Sequence, residues 1–248
     1  MTSMPSRVDA HCHVDLLNDW QDAVNRLERM AQFTLAVTTT PKAWRVEQEF
    51  ARNCRYVRIG VGLHPQVLHE RIAELPLLER AIGDSRFVGE IGLDGSPMYK
   101  AGFPDQVRAL RRIFSVCAEV KERVLSLHSV RAVGPVLDLL EETNAHEGNA
   151  IIFHWFTGSG AELDRALSLG ALISVNADML KTSKGRAHAC MAGPERTLTE
   201  SDSPFTRSHP LVSGLPSIQP AIHALAECWD LSASAVMCGV ERLARQYW

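Results

Sequence analysis

Six residues whose side chains can bind metal ions stand at or near the ends of short apolar segments: His11, His13, Glu90, His128, His154 and Asp202. The first two are separated by a single residue, Cys12. Because side chains alternate along a strand with a period of two, both imidazoles would point the same way from a strand. Two nitrogens held on one strand could therefore bind one cation.

The other four residues could complete a centre of two divalent ions. Glu90 could bridge both ions, and Asp202 could bind a metal and also take a proton from its water. His128 and His154 could hold the second ion. Two ions roughly 3.5–4 Å apart clamp a phosphoryl or carbonyl oxygen and lower the pKa of the water between them. The set predicts a metal-dependent hydrolase with Glu90 and Asp202 as its catalytic carboxylates.

Each residue also has an ordinary structural interpretation when it is considered alone. Glu90 could cap a helix or pair with an arginine, and Asp202, followed by Ser203 and Pro204, could belong to a turn. The histidines could be core or loop residues. The joint pattern favours the metal centre, because buried imidazoles and carboxylates without partners are costly and a shared metal cluster removes that cost.

Other polar residues near the same segment ends have two open roles. His64 could contact substrate or orient its loop, and Asp94 could orient a ligand or cap the loop that follows it. We name His64 and Arg131 as candidate substrate-binding residues. The cations that follow the predicted strands could hold a phosphate or a carboxylate, or could be solvated surface charges: Arg131, Lys181, Lys184 and Arg186.

Eight short segments rich in apolar and β-branched residues must position these side chains. Segments that are apolar on both sides are typical of strands in a parallel sheet that is covered on both faces. The predicted strands are Val8–His13, Phe33–Thr39, Tyr56–Leu63, Arg86–Leu93, Val124–His128, Ala150–Phe156, Ala171–Asn176 and Thr197–Asp202. Segments with helical period lie between them, such as the stripe of Val133, Val136, Leu137 and Leu140.

The alternation of strand and helix favours a (β/α)8 TIM barrel, predicted as one domain over residues 1–248. In a closed barrel, the carboxyl ends of all strands meet at one mouth, where the active site lies. A doubly wound open sheet remains the alternative, because closure cannot be read from the pattern. Two closing helices are predicted over residues 215–228 and 232–246.

The composition argues against some classes of function. With a net charge of −3 and a pI near 6.4, the chain is not expected to coat nucleic acid or to bind an acidic membrane. The sequence shows no run of 18 apolar residues and no basic stretch with an apolar one behind it, so we expect neither a membrane span nor a secretory leader. Its six cysteines form no C-x-x-C pair, so we expect free thiols in a reducing cytoplasm.

Five motifs along the chain resemble those of the TatD family of metal-dependent deoxyribonucleases, within the amidohydrolase-like barrel superfamily. They are Asp9-Ala-His-Cys-His-Val-Asp15, Gly62-Leu-His-Pro65, Gly89-Glu-Ile-Gly-Leu-Asp94, His154-Trp-Phe-Thr-Gly-Ser159 and Glu200-Ser-Asp-Ser-Pro204. Any one of these motifs would be a weak signal, whereas the five together are specific.

The resemblance implies two divalent metal ions, which could be Mg²⁺, Mn²⁺ or Zn²⁺, and hydrolysis of phosphodiester bonds in DNA, on single strands or at 3′ ends. Asp202 would assist the attacking hydroxide. Carboxylate and imidazole ligands suit all three metals without choosing between them. The implied ligand sets are His11, His13, Glu90 and Asp202 for one ion, and Glu90, His128 and His154 for the other.

Departures from the family pattern lie on the substrate side. Arg131 stands one position later than the arginine of the family's H-x-R-x-A segment, and Gly95 to Pro97 replace residues that are often aromatic or basic. The family's usual run after the last strand is not recognisable near residues 205–215. This divergent form looks most like the TatD-like subunit of Qat anti-phage defence systems, which makes proteins of a defence operon candidate partners.

Two further functions remain open. The same barrel could hydrolyse an amide, an ester or a lactone, although Glu90, in place of a lysine available for carboxylation, counts against the cyclic-amide branch. Alternatively, the chain could be a subunit of a defence complex that is active only with its partners.

Overall fold

The computed structural model describes residues 7–206 and 217–248. In these residues, eight short parallel strands form the centre of the molecule, and nearly all of their residues are buried. Burial on both faces explains why the strands are apolar throughout. Each strand lies within a predicted segment: β1 (Val8–Cys12), β2 (Phe33–Val37), β3 (Val57–Gly60), β4 (Phe87–Gly92), β5 (Val124–His128), β6 (Ala150–His154), β7 (Leu172–Val175) and β8 (Thr197–Thr199).

The strands form a closed barrel and not an open sheet. Parallel pairing runs from β1 to β3 and from β4 to β8, and a bridge between Val61 and Val88 joins the two sets. The last strand meets the first where the Thr199 hydroxyl donates a hydrogen bond to the Val8 carbonyl at 2.5 Å. The predicted (β/α)8 barrel is therefore confirmed.

Helices surround the barrel and bury their apolar faces against it. The predicted stripe of Val133, Val136, Leu137 and Leu140 is fully buried, as amphipathic packing requires. The α-helices of the described residues are α1 (Trp20–Arg29), α2 (Pro41–Ala51), α3 (Leu68–Arg71), α4 (Leu75–Asp84), α5 (Phe103–Val120), α6 (Val133–Thr143), α7 (Gly160–Ser168), α8 (Ala177–Leu180), α9 (Ser183–Ala192), α10 (Gln219–Trp229) and α11 (Ala233–Ala244). Short 3-10 helices span Val14–Leu16, Ile72–Glu74 and Pro97–Gly102.

The first closing helix begins later than predicted. Residues 215 and 216 lie outside the described residues, and the helix begins at Gln219. Pro220 stands in its first turn, where a missing N–H costs no hydrogen bond. The second helix begins after Ser232, whose hydroxyl accepts a hydrogen bond from the Ala235 amide at 3.1 Å.

Parts of two sequence predictions fall outside the described residues. The domain predicted over residues 1–248 includes residues 1–6 and 207–216, and its extent stays a prediction. The segment near 205–215 that lacks the family's usual run also lies mostly there. In the part of the chain that the structure describes, no helix combines the length and apolarity needed to cross a bilayer. All six cysteines are free thiols.

Candidate metal centre

The two histidines of the first strand point into the same space, as alternation along a strand predicts. His11 lies on β1 and His13 follows the end of that strand, and both side chains are buried. Their Nε2 atoms are 3.3 Å apart. Two imidazole nitrogens at this distance need either a proton or a cation between them, because each presents a lone pair when it is not protonated.

Glu90, on β4, is the centre of the cluster, and its two carboxylate oxygens face different histidines. Its Oε1 atom lies 2.7 Å from His128 Nδ1 and 2.9 Å from His154 Nε2. Its Oε2 atom lies near three Nε2 atoms, at 3.0 Å (His13), 3.3 Å (His64) and 3.4 Å (His11). One buried carboxylate therefore stands between two groups of imidazoles, which is the arrangement of a bridging ligand.

The segment after β3 passes so close to β4 that the Gly62-Leu63-His64 motif must begin with a glycine. A Cβ atom at Gly62 would lie 2.1 Å from the Thr38 carbonyl oxygen and 2.3 Å from the Glu90 amide nitrogen. Neither backbone atom can move aside cheaply. Gly62 thus allows the backbone that carries Glu90 to approach its neighbour, while His64, two residues later, reaches the same carboxylate.

Asp202 follows β8 and is tied directly to the first strand. Its amide donates a hydrogen bond to the His11 carbonyl at 2.9 Å. Its Oδ1 atom lies 3.7 Å from His11 Nε2 and 3.8 Å from His13 Nε2. The residue has a φ of +44°, a conformation in which aspartate is more common than most other residues.

In the described part of the chain, three groups of potential ligand atoms are compact, with all atoms of a group within 4.8 Å of one another: His11, His13 and Glu90; His64, Glu90 and His128; and His11, His154 and Asp202. The first belongs to the ligand set that the resemblance implies for one ion. In the second, His64 takes the place that the implied set gives to His154. The structure therefore brings His64 into the cluster itself, where the sequence suggested only substrate contact or loop orientation.

Polar groups behind the cluster orient its histidines. The Ser126 hydroxyl lies 2.8 Å from His11 Nδ1, and Asp94 Oδ2 lies 3.0 Å from His128 Nε2. Asp94 also accepts hydrogen bonds from the Gln66 side chain and the Ser96 amide, both at 2.8 Å. Asp94 thus contacts a cluster histidine and also caps the following loop, which agrees with both roles considered for it.

Glu200 is a functional candidate that sequence reasoning missed. Its Oε1 atom lies 3.8 Å from His154 Nδ1 and accepts a hydrogen bond from the Asn176 side chain at 2.9 Å. The Ser174 hydroxyl donates to its other oxygen. Burial raises the pKa of this carboxyl, but His154, His11 and the Ser174 hydroxyl together lower it, so that Glu200 stays ionised behind His154.

Strand periodicity could have revealed Ser126 and Glu200. Ser126 precedes His128 by two residues on β5, and Glu200 precedes Asp202 by two just after β8. Positions two apart on a strand face the same side. A serine and a glutamate inside apolar strand segments were therefore a signal for additional polar contacts.

The electrostatics of the cluster favour positive charge inside it. Burial by itself would lower the pKa of His13, but Asp15, Glu90 and Asp202 raise it to about 10. Burial, with help from the charge of His154, lowers the pKa of His11 to about 3. For Glu90, burial opposes ionisation, but the surrounding histidines hold its pKa well below the usual value. The carboxylates thus favour a positive charge at the His13 imidazole, whereas the neighbouring His11 imidazole stays neutral. This combination suits a bound cation.

The orientation of the imidazoles supports the same interpretation. His13 Nδ1 faces Asp15 Oδ1 at 3.7 Å and His154 Nδ1 faces Glu200 Oε1 at 3.8 Å, so that both Nε2 atoms are directed at Glu90. Imidazole and carboxylate donors match Mg²⁺, Mn²⁺ and Zn²⁺, whereas cysteine sulfur is absent from the compact groups. The residues present thus fit divalent metal ions.

A pocket of about 510 Å³ opens beside the cluster at the mouth of the barrel. Cluster residues including Glu90, His128 and Asp202 form its charged and titratable part. Its remaining wall is uncharged and includes Leu16, Val67, Val130, Trp155 and Phe205. The volume is within the range of small-molecule sites, roughly 300–1,000 Å³.

The cations proposed from sequence do not line this pocket, although Lys184 reaches the backbone of Thr157, which does. Arg131 is exposed, has a φ of +52° and does not line the cavity. Lys181 pairs with Asp178, and Lys184 donates to the Thr157 carbonyl at 2.8 Å. Among residues 7–206 and 217–248, no lysine or arginine lines the pocket.

Comparison with known families gives a match over nearly the whole chain. The family model described as TatD related DNase matches residues 8–247. This span includes every strand and every residue of the cluster. The closed barrel and the positions of its polar strand ends agree with such a match.

Individual relatives are distant but cover most of the chain. The putative deoxyribonuclease TATDN3 of Mus musculus is 24% identical over 250 residues, which cover 92% of this chain and 83% of the relative. An uncharacterized metal-dependent hydrolase of Buchnera aphidicola is 26% identical over 211 residues, which cover 80% of this chain and 78% of the relative. The crystal structure of YJJV, a TatD homolog from Escherichia coli, has a TM-score of 0.80 at 22% identity and covers 98% of this chain and 97% of its own, which shows a shared fold.

Proposed function

This chain belongs to the TatD-related DNase family of metal-dependent hydrolases, and on that premise we propose that it is a deoxyribonuclease with two divalent metal ions. One observation carries the proposal of two ions. The two oxygens of Glu90 face separate groups of histidines, all within 3.4 Å. A carboxylate placed between two sets of nitrogen ligands is suited to bridge two cations.

We assign the ligands by the family resemblance. One ion would be held by His11, His13, Glu90 and Asp202, and the other by Glu90, His128 and His154, with Mg²⁺, Mn²⁺ or Zn²⁺ as candidates. His64, which lines the pocket, would contact the substrate. Its Nε2 atom lies 3.3 Å from Glu90, so His64 is also the first candidate for an additional ligand.

Two divalent ions, when bound, would supply a Lewis-acid clamp for a phosphate oxygen and a more acidic water. The chain's own residues then have distinct roles. Asp202 lines the pocket and can accept a proton from the attacking water on a carboxylate oxygen. Glu90 lies between the two histidine groups, and Ser126, Asp94 and Glu200 fix the imidazoles of His11, His128 and His154 from behind.

DNA is the proposed substrate, as a single strand or at a 3′ end. The names of the mammalian relatives support this class, because the mouse and human TATDN3 proteins are called deoxyribonucleases. The bound ions would supply the positive charge that the pocket wall lacks. An overall charge of −3 agrees with recognition through such a local centre and not through a broad basic surface.

A second candidate function is hydrolysis of an amide, ester or lactone in the same barrel. The uncharged pocket wall favours it, because a neutral substrate would need no cationic side chain. A panel of phosphodiester, amide, ester and lactone substrates separates the two candidates. Turnover of the phosphodiester alone would exclude this second one.

We also propose a cytoplasmic role in an anti-phage defence system with partner proteins. The support is the resemblance to the TatD-like subunit of Qat systems and the departures from the family pattern around Arg131 and Gly95. Free thiols throughout the chain agree with a reducing compartment. Full hydrolytic activity of the purified chain alone would contradict a requirement for partners.

The decisive test of the deoxyribonuclease proposal is cleavage of labelled single-stranded DNA by metal-loaded protein. We expect cleavage by the wild type and its loss in His11→Ala and Asp202→Ala. His223→Ala, which removes an exposed histidine on α10, is the matched control and should cleave normally. Cleavage that survives in both cluster variants would show that the assigned residues are wrong.

A further inference from the structure

Two aromatic residues line the pocket beside the cluster. Trp155 follows the last residue of β6, and Phe205 follows β8 by a few residues. Both line the pocket of about 510 Å³ together with the cluster residues. The metal centre proposed above gives neither ring a role.

Trp155 lines the pocket from an unusual backbone conformation. Its φ is +38°, which is an outlier for a bulky residue. In a continuing strand, the side chain after His154 would point to the opposite side. Here both His154 and Trp155 line the same cavity. Backbone conformations of this kind concentrate at sites of function, where the surrounding structure maintains them.

Phe205 lines the pocket with a side chain that is only partly covered by the described residues. The residue is 57% exposed, whereas the nearby phenylalanines of the barrel core, Phe153 and Phe156, are buried. Its ring contacts the edge of the His13 ring, with centroids 5.3 Å apart and planes at 86°. The contact places an exposed aromatic face directly beside the candidate metal centre.

We propose that Trp155 and Phe205 form a subsite that stacks on an unpaired nucleobase of the DNA strand whose phosphate lies at the Glu90 cluster. This inference rests on the proposed deoxyribonuclease function. The wall around the two rings holds no lysine or arginine in the described residues. Recognition of a nucleotide there would therefore use the flat face of its base and not its phosphate. Base stacking on aromatic side chains tolerates every base, because each has a π face.

The size of the pocket favours an unpaired base over a duplex. A cavity of about 510 Å³ suits a drug-sized ligand, and a base pair with both of its backbones is far larger. A base that is paired at a duplex end must therefore separate from its partner before it can enter. The subsite would make unpaired ends better substrates than paired ones, independently of sequence.

Binding measurements can test the subsite apart from catalysis. Two labelled single strands are compared that differ only in their last 3′ nucleotide, which either carries a base or is abasic. A phosphorothioate at the final linkage slows cleavage, and fluorescence anisotropy with Mn²⁺-loaded protein gives both dissociation constants. We expect the wild type to bind the strand with the base about tenfold more tightly, in line with the cost of removing one stacking contact.

Paired variants separate stacking from general damage. Trp155→Ala and Phe205→Ala should lose most of the preference for the base, whereas Trp155→Phe and Phe205→Tyr should keep it. Phe205→Leu retains apolar bulk without an aromatic face and should lose it, which preserves the test if an alanine variant does not fold. Phe50→Ala removes a partly exposed phenylalanine on α2 and should bind like the wild type.

The outcomes distinguish this inference from the proposed function. If the natural strand is cleaved but both strands bind equally, or if the alanine variants keep the preference, the stacking subsite is wrong and the deoxyribonuclease proposal stands. If the wild type neither binds nor cleaves any strand, both are wrong.

Discussion

The cluster around Glu90 and the pocket wall beside it differ in their chemistry and in the structural elements that supply their residues. The cluster residues lie on strands or directly after them, and their side chains are nearly all buried and titratable. The wall comes mainly from the loops beyond the strands and is uncharged in the described residues. Its ring at Phe205 is more than half exposed, whereas Glu90 is 1% exposed.

The difference separates two tasks within one barrel mouth. Strand ends are held by the barrel's hydrogen-bonded backbone, so they can position ligand atoms with little freedom. Loops can change composition without disturbing the barrel and so can determine which substrate reaches the centre. On the proposed function, the chemistry of hydrolysis would belong to the strands and the choice of substrate to the loops.

The largest effect is expected at the cluster itself. Asp202→Asn keeps the shape of the side chain but removes its charge and its capacity to accept a proton. We expect kcat for DNA cleavage to fall by roughly 10²- to 10⁴-fold, the usual contribution of a positioned acid or base. Far-ultraviolet circular dichroism checks that the fold is unchanged. A fall of less than tenfold would remove Asp202 from the reaction.

A smaller effect is expected one layer behind the cluster. Glu200→Gln should weaken metal binding by about 10- to 100-fold, because it replaces the carboxylate that orients His154 with a neutral amide. At saturating metal, most of the lost activity should return. Far-ultraviolet circular dichroism of the metal-free variant checks separately that the substitution leaves the chain folded. Metal titration measures this change. Glu195→Gln, at an exposed glutamate that pairs with Arg242, is the control.

Metal removal should lower thermal stability by a moderate amount. An ion at 100 times its dissociation constant stabilises the folded state by about 2.7 kcal/mol. For a chain of 248 residues, this corresponds to a loss of about 5–10 °C in Tm on chelation. Differential scanning calorimetry with EDTA and then with excess Mn²⁺ measures the loss and its recovery. An unchanged Tm would show that the cluster does not bind a metal ion in the folded state.

The smallest effect is expected at Arg131. Its side chain is exposed and outside the pocket, so Arg131→Ala should change kcat/KM for DNA by no more than about twofold. Steady-state kinetics on the same single-stranded substrate provides the comparison. A tenfold loss would instead show that Arg131 contacts the substrate, as the sequence suggested.

The fold and the cluster could be predicted from sequence because both depend on simple periodicities. Buried parallel strands are apolar on both faces, so their polar ends at His11, Glu90 and His154 stood out. Parallel strands in a closed barrel bring those ends together. The alternation of side chains also predicted that His11 and His13 would share one direction.

The pocket wall could not be predicted in the same way. Arg131 and Trp155 both have positive φ values, which a sequence pattern for non-glycine residues does not reveal. Trp155 lines the cavity and Arg131 does not, a difference that their sequence positions alone do not predict. Supporting contacts, such as that of Glu200 with His154, join side chains from different strands. The distance between two such side chains depends on how the barrel folds and cannot be read from the sequence.

Diffraction from metal-loaded crystals, with anomalous scattering measured at the absorption edge of the metal, tests the central claim most directly. We expect two peaks, one on each side of the Glu90 carboxylate, with His11 and His13 beside one and His128 and His154 beside the other. A single peak, or two peaks that Glu90 does not bridge, would contradict a centre of two ions.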